Sequence, residues 1–195
     1  LVTSDKSKKH HRAELWLLFT AAAFPIHIWS IIIFLMDVSW VAERTNFQDA
    51  LGFIGYGLSF SLLECSLIWL FLVLVGILFL KKWDPGKRVA FLSTLVWFIL
   101  LGTMLAVLIN SGILPYPRKI IPFLESRQNP ALFIVGVLFA TLSPVAFLLV
   151  KSSLGSRAYQ SGLINTLQRI SPLMVLYLAF DILGLLIVFI RNLRM

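Results

Sequence analysis

Three ionisable side chains stand inside long apolar runs of this chain: His27, Glu64 and Asp181. An aspartate at the centre of a membrane helix costs about 2.5–3.5 kcal/mol on the insertion scale. Such a group is kept for a partner, a proton or a task. Asp181 comes out deepest. It lies ten residues before Arg191, about 15 Å at the helical rise, among Ile, Leu and Phe. It has two readings. It is a proton or cation site, or it makes a structural hydrogen bond to Ser143, Thr141 or Thr103 on another helix. His27 lies 15 residues after Arg12, about 22 Å in, and Glu64 lies 17 residues before Lys81, about 25 Å in. The two share one level, in the outer half of the layer, if their helices touch. A His–Glu pair there is a proton relay, half of a metal site or a plain structural contact. Zinc normally takes three or four protein ligands, and the chain has no HxxxH or HExxH. No metal, cofactor or catalytic residue is assigned.

The elements that must carry these residues are transmembrane helices. The chain is 59% hydrophobic and 13% charged over 195 residues, against about 45–50% and about 25% in soluble domains. A spanning helix needs about 20 mostly apolar residues. Five runs qualify, at about 15–36, 50–80, 89–113, 131–150 and 172–190. They lack the alternation of barrel strands, and an isolated strand leaves its backbone groups unpaired in lipid. The fold class is therefore all-α, a polytopic transmembrane helix bundle. Residues 1–13 form a basic leader and 14–195 a single helical domain. Ala21-Ala22-Ala23 resembles a signal-peptide cleavage site, but the apolar run continues to Met36, so the first run reads as an uncleaved helix.

Punctuation supports these boundaries. Thr45 with Gln48 has the spacing of a capping box for the second helix. Asp84-Pro85-Gly86 is a tight turn. Pro115, Pro117 and Pro122 break the third connection, and Asn129-Pro130 and Ser171-Pro172 suit helix starts. Pro25 and Pro144 fall inside apolar runs, where each removes a backbone hydrogen bond. Tyr159, Leu163, Leu167 and Ile170 recur at helical spacing among polar residues. They predict a short amphipathic helix over about 156–170, lying on the membrane surface.

Gly52-Phe53-Ile54-Gly55-Tyr56-Gly57 has the wrong spacing for a nucleotide loop. Gly55 with Ser59, and Gly57 with Ser61, read instead as small-xxx-small pairs that let another helix approach. Trp16, Trp40 and Trp83 fall near helix ends, where indoles sit at headgroup level. Trp29, Trp69 and Trp97 are deeper and pack.

Net charge is +8, with the basic residues concentrated between the apolar runs. That placement points to membrane orientation and anionic lipid, not nucleic acid. Lys81, Lys82, Arg118 and Lys119 are the candidate lipid-phosphate contacts. An N-terminus inside puts eleven of the 17 Lys and Arg on the inner side, so the rule predicts a multi-pass protein with N-in and C-out. The expected partners are the bilayer and other membrane proteins or further copies of this chain. Three functions fit: a non-catalytic membrane subunit or scaffold, a small transporter or channel using Asp181, or a membrane enzyme or anchor acting on lipid head groups.

Overall fold

The computed structural model describes residues 2–111 and 130–193. Within them the chain is all-helical, and five helices are long and apolar enough to cross a membrane. They are α1 (Val2–Arg44), α2 (Phe47–Leu78), α3 (Pro85–Asn110), α4 (Pro130–Gly155) and α5 (Arg157–Leu193). Arg118, Lys119, the prolines of the third connection and the tail after Leu193 lie outside the described residues.

Two residues separate α1 from α2, which forces the pair antiparallel. The cap is not the expected Thr45–Gln48 box. Asn46 sits at the N-cap with extended backbone (φ −83, ψ 170), and its side chain accepts from Asp49 N–H. Thr45 faces the other way: its hydroxyl donates to the Val41 carbonyl at 2.6 Å and closes α1. Asp84 caps α3 by accepting from Gly86 N–H at 3.1 Å, with Pro85 in the first helical turn, where its missing N–H costs nothing.

α1 and α5 form the centre. α2 packs on both of them from one side and α3 from the other. α2 and α3, consecutive in sequence, scarcely meet. α4 lies at the edge, held on α3 through the Phe98–Phe139 edge-to-face pair. Two apolar clusters fill the centre. One joins Leu18, Ala21 and Ala22 to Leu72, Val89, Leu92 and Leu167. The other joins Ala23 and Ile26 to Cys65 and Met174.

Small residues set the spacing of α2. A Cβ on Gly55 would come 3.2 Å from the Gly184 carbonyl oxygen, and one on Gly184 would come 3.0 Å from the Gly55 carbonyl oxygen. The α2 and α5 backbones therefore touch where neither helix has a side chain. On the next face, Gly57 accommodates the Phe34 ring and Ser61 meets Ser30 of α1. Ser59 donates back to the Gly55 carbonyl at 2.8 Å.

The expected surface helix at 156–170 is not a separate element, and Pro172 does not begin the last helix. Both belong to α5, 37 residues or about 55 Å long. Ser156 starts it by accepting from Tyr159 N–H at 3.2 Å. Its apolar stripe is covered by protein: Leu167 is fully buried, and Leu163, Ile164 and Ile170 pack on the same cluster. The contacts of α5 also change sense along its length. Between Tyr159 and Ile164 they retreat along α3, from Thr94 to Gly86. From Ser171 to Asp181 they advance along α1, from Trp16 to His27. Yet α1 and α3 run the same way, with Glu14 beside Arg88 and Ala21 beside Trp97. The first turns of α5 therefore cross α3, and the helix changes course near Pro172, which offers no N–H to the Gln168 carbonyl.

Candidate functional site

The polar residues of the interior gather in one layer. Ser30 meets Ser61 at 2.5 Å, so antiparallel counting brings His27 and Glu64 level with each other, and Asp181 joins them by direct contact. On α1 this level is 13 residues, about 20 Å, beyond Glu14 and ten residues, about 15 Å, short of Asp37. It lies near the middle of the apolar belt, so Glu64 is as deep as the other two.

His27 pairs with Asp181, not with Glu64. Its Nε2 lies 3.0 Å from Asp181 Oδ2 and 3.2 Å from Oδ1. Its Nδ1 lies 2.8 Å from the Ala23 carbonyl oxygen, one turn back on α1. A carbonyl only accepts, so Nδ1 carries a hydrogen. One further proton then belongs between Nε2 and the carboxylate. Without it, a nitrogen lone pair would face a carboxylate in a dry interior. The pair is therefore neutral as a unit, written either as imidazole with carboxylic acid or as imidazolium with carboxylate. Tyr177 seals it, stacked on the imidazole at 4.9 Å with 5° between the planes. His27 is 3% exposed and Asp181 0%.

The hydroxyls expected to serve Asp181 do not reach it. Thr103 donates to the Ile99 and Leu100 carbonyls, Thr141 to Leu138 and Ser143 to Ala140. Each satisfies itself on its own helix, as Ser and Thr do in apolar surroundings. Thr141 and Ser143 stand on the edge helix α4.

Glu64 is exposed, with no hydrogen bond or ion pair among the described residues. Helix geometry explains why. Cys65 takes the inward position at this level, 0% exposed among Ala23, Ile26 and Met174. One residue back is 100° round the helix, so Glu64 turns outward. It shares two open clefts with Trp29. One, of about 380 Å³, lies between α1, α2 and α3 and includes Ile68, Leu100 and Met104. The other, of about 320 Å³, lies between α1 and α2 and includes Phe34, Phe53 and Phe60.

Charged contacts close both ends of the bundle. At the basic end Arg88 grips Glu14 with two parallel bonds, Nε to Oε1 and Nη2 to Oε2, the latter at 2.6 Å. Around it, Trp69 N–H donates to the Leu15 carbonyl at 3.0 Å, Trp97 N–H to Ala21 at 2.8 Å and Trp16 N–H to Ser171 Oγ. Lys81 and Lys82 are exposed at this end. At the other end Arg191 pairs with Asp49 at 2.8 Å, and Tyr56 O–H donates to Asn192 at 3.1 Å. Sequence reasoning counted Arg88 only as a topogenic charge and passed over Glu14 and Tyr177. A signal existed for each. Glu14 is the one acidic residue between the basic leader and the first apolar run, and Tyr177 precedes Asp181 by one helical turn.

Among the described residues no three His, Cys, Asp or Glu side chains gather as a metal site would require. The architecture is that of a five-helix bundle compatible with a multi-pass membrane protein, with one sealed acid–base pair and one outward carboxylate at mid-belt. Compared with protein-family models, curated proteins and solved structures, the chain matches none.

Proposed function

We propose that the chain is a non-catalytic integral membrane subunit that packs against a partner protein within the bilayer. The observation that carries this reading is Glu64, a carboxylate turned outward at mid-belt with no partner of its own among the described residues. Left facing lipid as an ion, it costs about what a central aspartate does, 2.5–3.5 kcal/mol, a sizeable share of a typical domain stability. A protein neighbour removes that cost. The buried acid–base groups, by contrast, are used in holding the bundle together. His27 and Asp181 join α1 to α5, and Glu14 and Arg88 join α1 to α3. The transport reading needs Asp181 to be reached, and it is sealed under Tyr177. In this reading the end bearing Glu14, Lys81, Lys82 and Arg88 faces the cytoplasm, as the excess of Lys and Arg directs.

The test is photo-crosslinking in native membranes. A benzoylphenylalanine is placed at Phe60 or Leu67, both exposed beside Glu64, and as a control at Phe147 on the edge helix. The expected result is one discrete protein adduct from the first two positions, identified by mass spectrometry, and none from Phe147. Lipid adducts alone at all three positions would overturn the reading.

A further inference from the structure

We propose that the Glu64–Trp29 face binds a transmembrane helix carrying a lysine or arginine near its own middle. This rests on the subunit reading and names the chemistry of the partner. The first argument is charge. Glu64 needs a cation, and those it could meet among the described residues are committed or distant. His27 is taken by Asp181, Arg88 by Glu14 and Arg191 by Asp49. Lys81 and Lys82 follow Glu64 by 17 and 18 residues, about 25 Å along α2.

The second argument is depth. Glu64 is level with His27, which is about 15 Å from the nearer charged end of the belt at Asp37. A lipid amine belongs to the headgroup layer, outside a hydrocarbon core about 30 Å thick, and does not reach that level. A side chain on a spanning helix is placed there by the helix itself. An inorganic cation would need several oxygen ligands. Besides Glu64, the side-chain oxygens lining the two clefts are the hydroxyls of Ser30, Ser61, Thr103 and Tyr56, and these are held in hydrogen bonds to each other, to helix carbonyls or, for Tyr56, to Asn192.

The third argument is the surroundings of the carboxylate. Trp29 lines both clefts with it. An indole in the same clefts as a carboxylate suits a cation, which can gain from the ring quadrupole as well as from the charge. The clefts to either side are apolar and have room for large aliphatic side chains flanking the basic residue. The partner has the complementary problem, since its lone lysine or arginine is equally costly in lipid, and association neutralises both.

The experiment uses the full chain in nanodiscs and synthetic 24-residue Leu/Ala transmembrane peptides bearing a fluorophore. The peptides carry Lys at the centre, Leu at the centre, or Lys seven residues towards one end. Energy transfer to a label on the protein reads association. The central-Lys peptide is expected to bind at least tenfold more tightly than the other two. Glu64→Gln should abolish the preference and should not lower the thermal midpoint of the protein alone. Glu64→Lys should transfer it to a peptide with central Glu.

Equal binding of the three peptides, or a preference that survives Glu64→Gln, would overturn the proposal. Self-association that depends on Glu64 and excludes every peptide would also overturn it, in favour of a second copy of this chain. Either failure beside a discrete adduct at Phe60 or Leu67 leaves the subunit reading in place. Loss of the adduct removes both.

Discussion

The His27–Asp181 pair makes a demanding prediction, because two substitutions at the same carboxylate should behave differently. His27→Ala leaves Asp181, 0% exposed, with neither its hydrogen-bond partner nor its shared proton. Breaking a buried pair by removing one member costs about 3–5 kcal/mol. For a chain of this size each kcal/mol is worth about 2–4 °C, so the midpoint should fall by on the order of 10 °C. Asp181→Ala should cost a similar amount, since it leaves Nε2 unpaired beside Tyr177. Asp181→Asn should be mild, about 1 kcal/mol. Nδ1 keeps its hydrogen on the Ala23 carbonyl, and the new amide N–H donates to Nε2. Joint replacement, His27→Leu with Asp181→Val, removes both polar groups with little change in volume and should recover most of the loss. The assay is thermal unfolding in mild detergent, followed by far-ultraviolet circular dichroism, arranged as a double-mutant cycle. Alanine effects that add to within about 0.5 kcal/mol would show that the two residues do not act together. Asparagine as damaging as alanine would refute the proton assignment.

Three further predictions use the same assay. Gly184→Ala puts a Cβ 2.8 Å from Leu58 Cβ and 3.0 Å from the Gly55 carbonyl oxygen and should cost about 1–3 kcal/mol, whereas Gly162→Ala meets nothing within 4 Å and should gain about 0.5–1 kcal/mol. Arg88→Lys loses the two-bond grip on Glu14 and should cost about 1 kcal/mol, while Arg88→Met strands that carboxylate and should cost about 2–3 kcal/mol, less than a fully sealed pair. Asn46→Ala removes the cap of α2 and should cost about 1 kcal/mol; Thr45→Ala should cost less, its hydroxyl serving α1 instead.

Much of the architecture was readable because a spanning helix announces itself by length and hydropathy alone. The expected runs fall inside α1 to α4 almost unaltered, and helical turns were added where polar residues continue the helix beyond the apolar belt. What was not readable is azimuth. Counting residues fixes how deep a side chain lies but not which neighbour it faces. His27 and Glu64 were therefore placed on one level and wrongly joined. The partner of His27 is 154 positions away, on a helix whose place beside α1 no local pattern discloses. Cys65 and Glu64 illustrate the same limit, since adjacent residues on one helix face opposite surroundings. The cap moved by a single residue because Thr45 and Asn46 are both capable acceptors, and the two-residue connection decides which faces α2. The 156–170 segment was recognised as helical and amphipathic. Its apolar stripe does not say whether lipid or protein will cover it, and here protein does.

Cys65 has a practical value that follows from its burial. It is the only cysteine in the chain, and it lies fully enclosed between α1, α2 and α5. A maleimide dye offered to the folded protein has no accessible sulfur to react with. Once the bundle opens, one does appear. The rate of dye uptake is then a direct clock for opening of the central layer, with no engineering required. A cysteine introduced at any exposed position will report on that position alone, against a background that stays dark while the protein is folded.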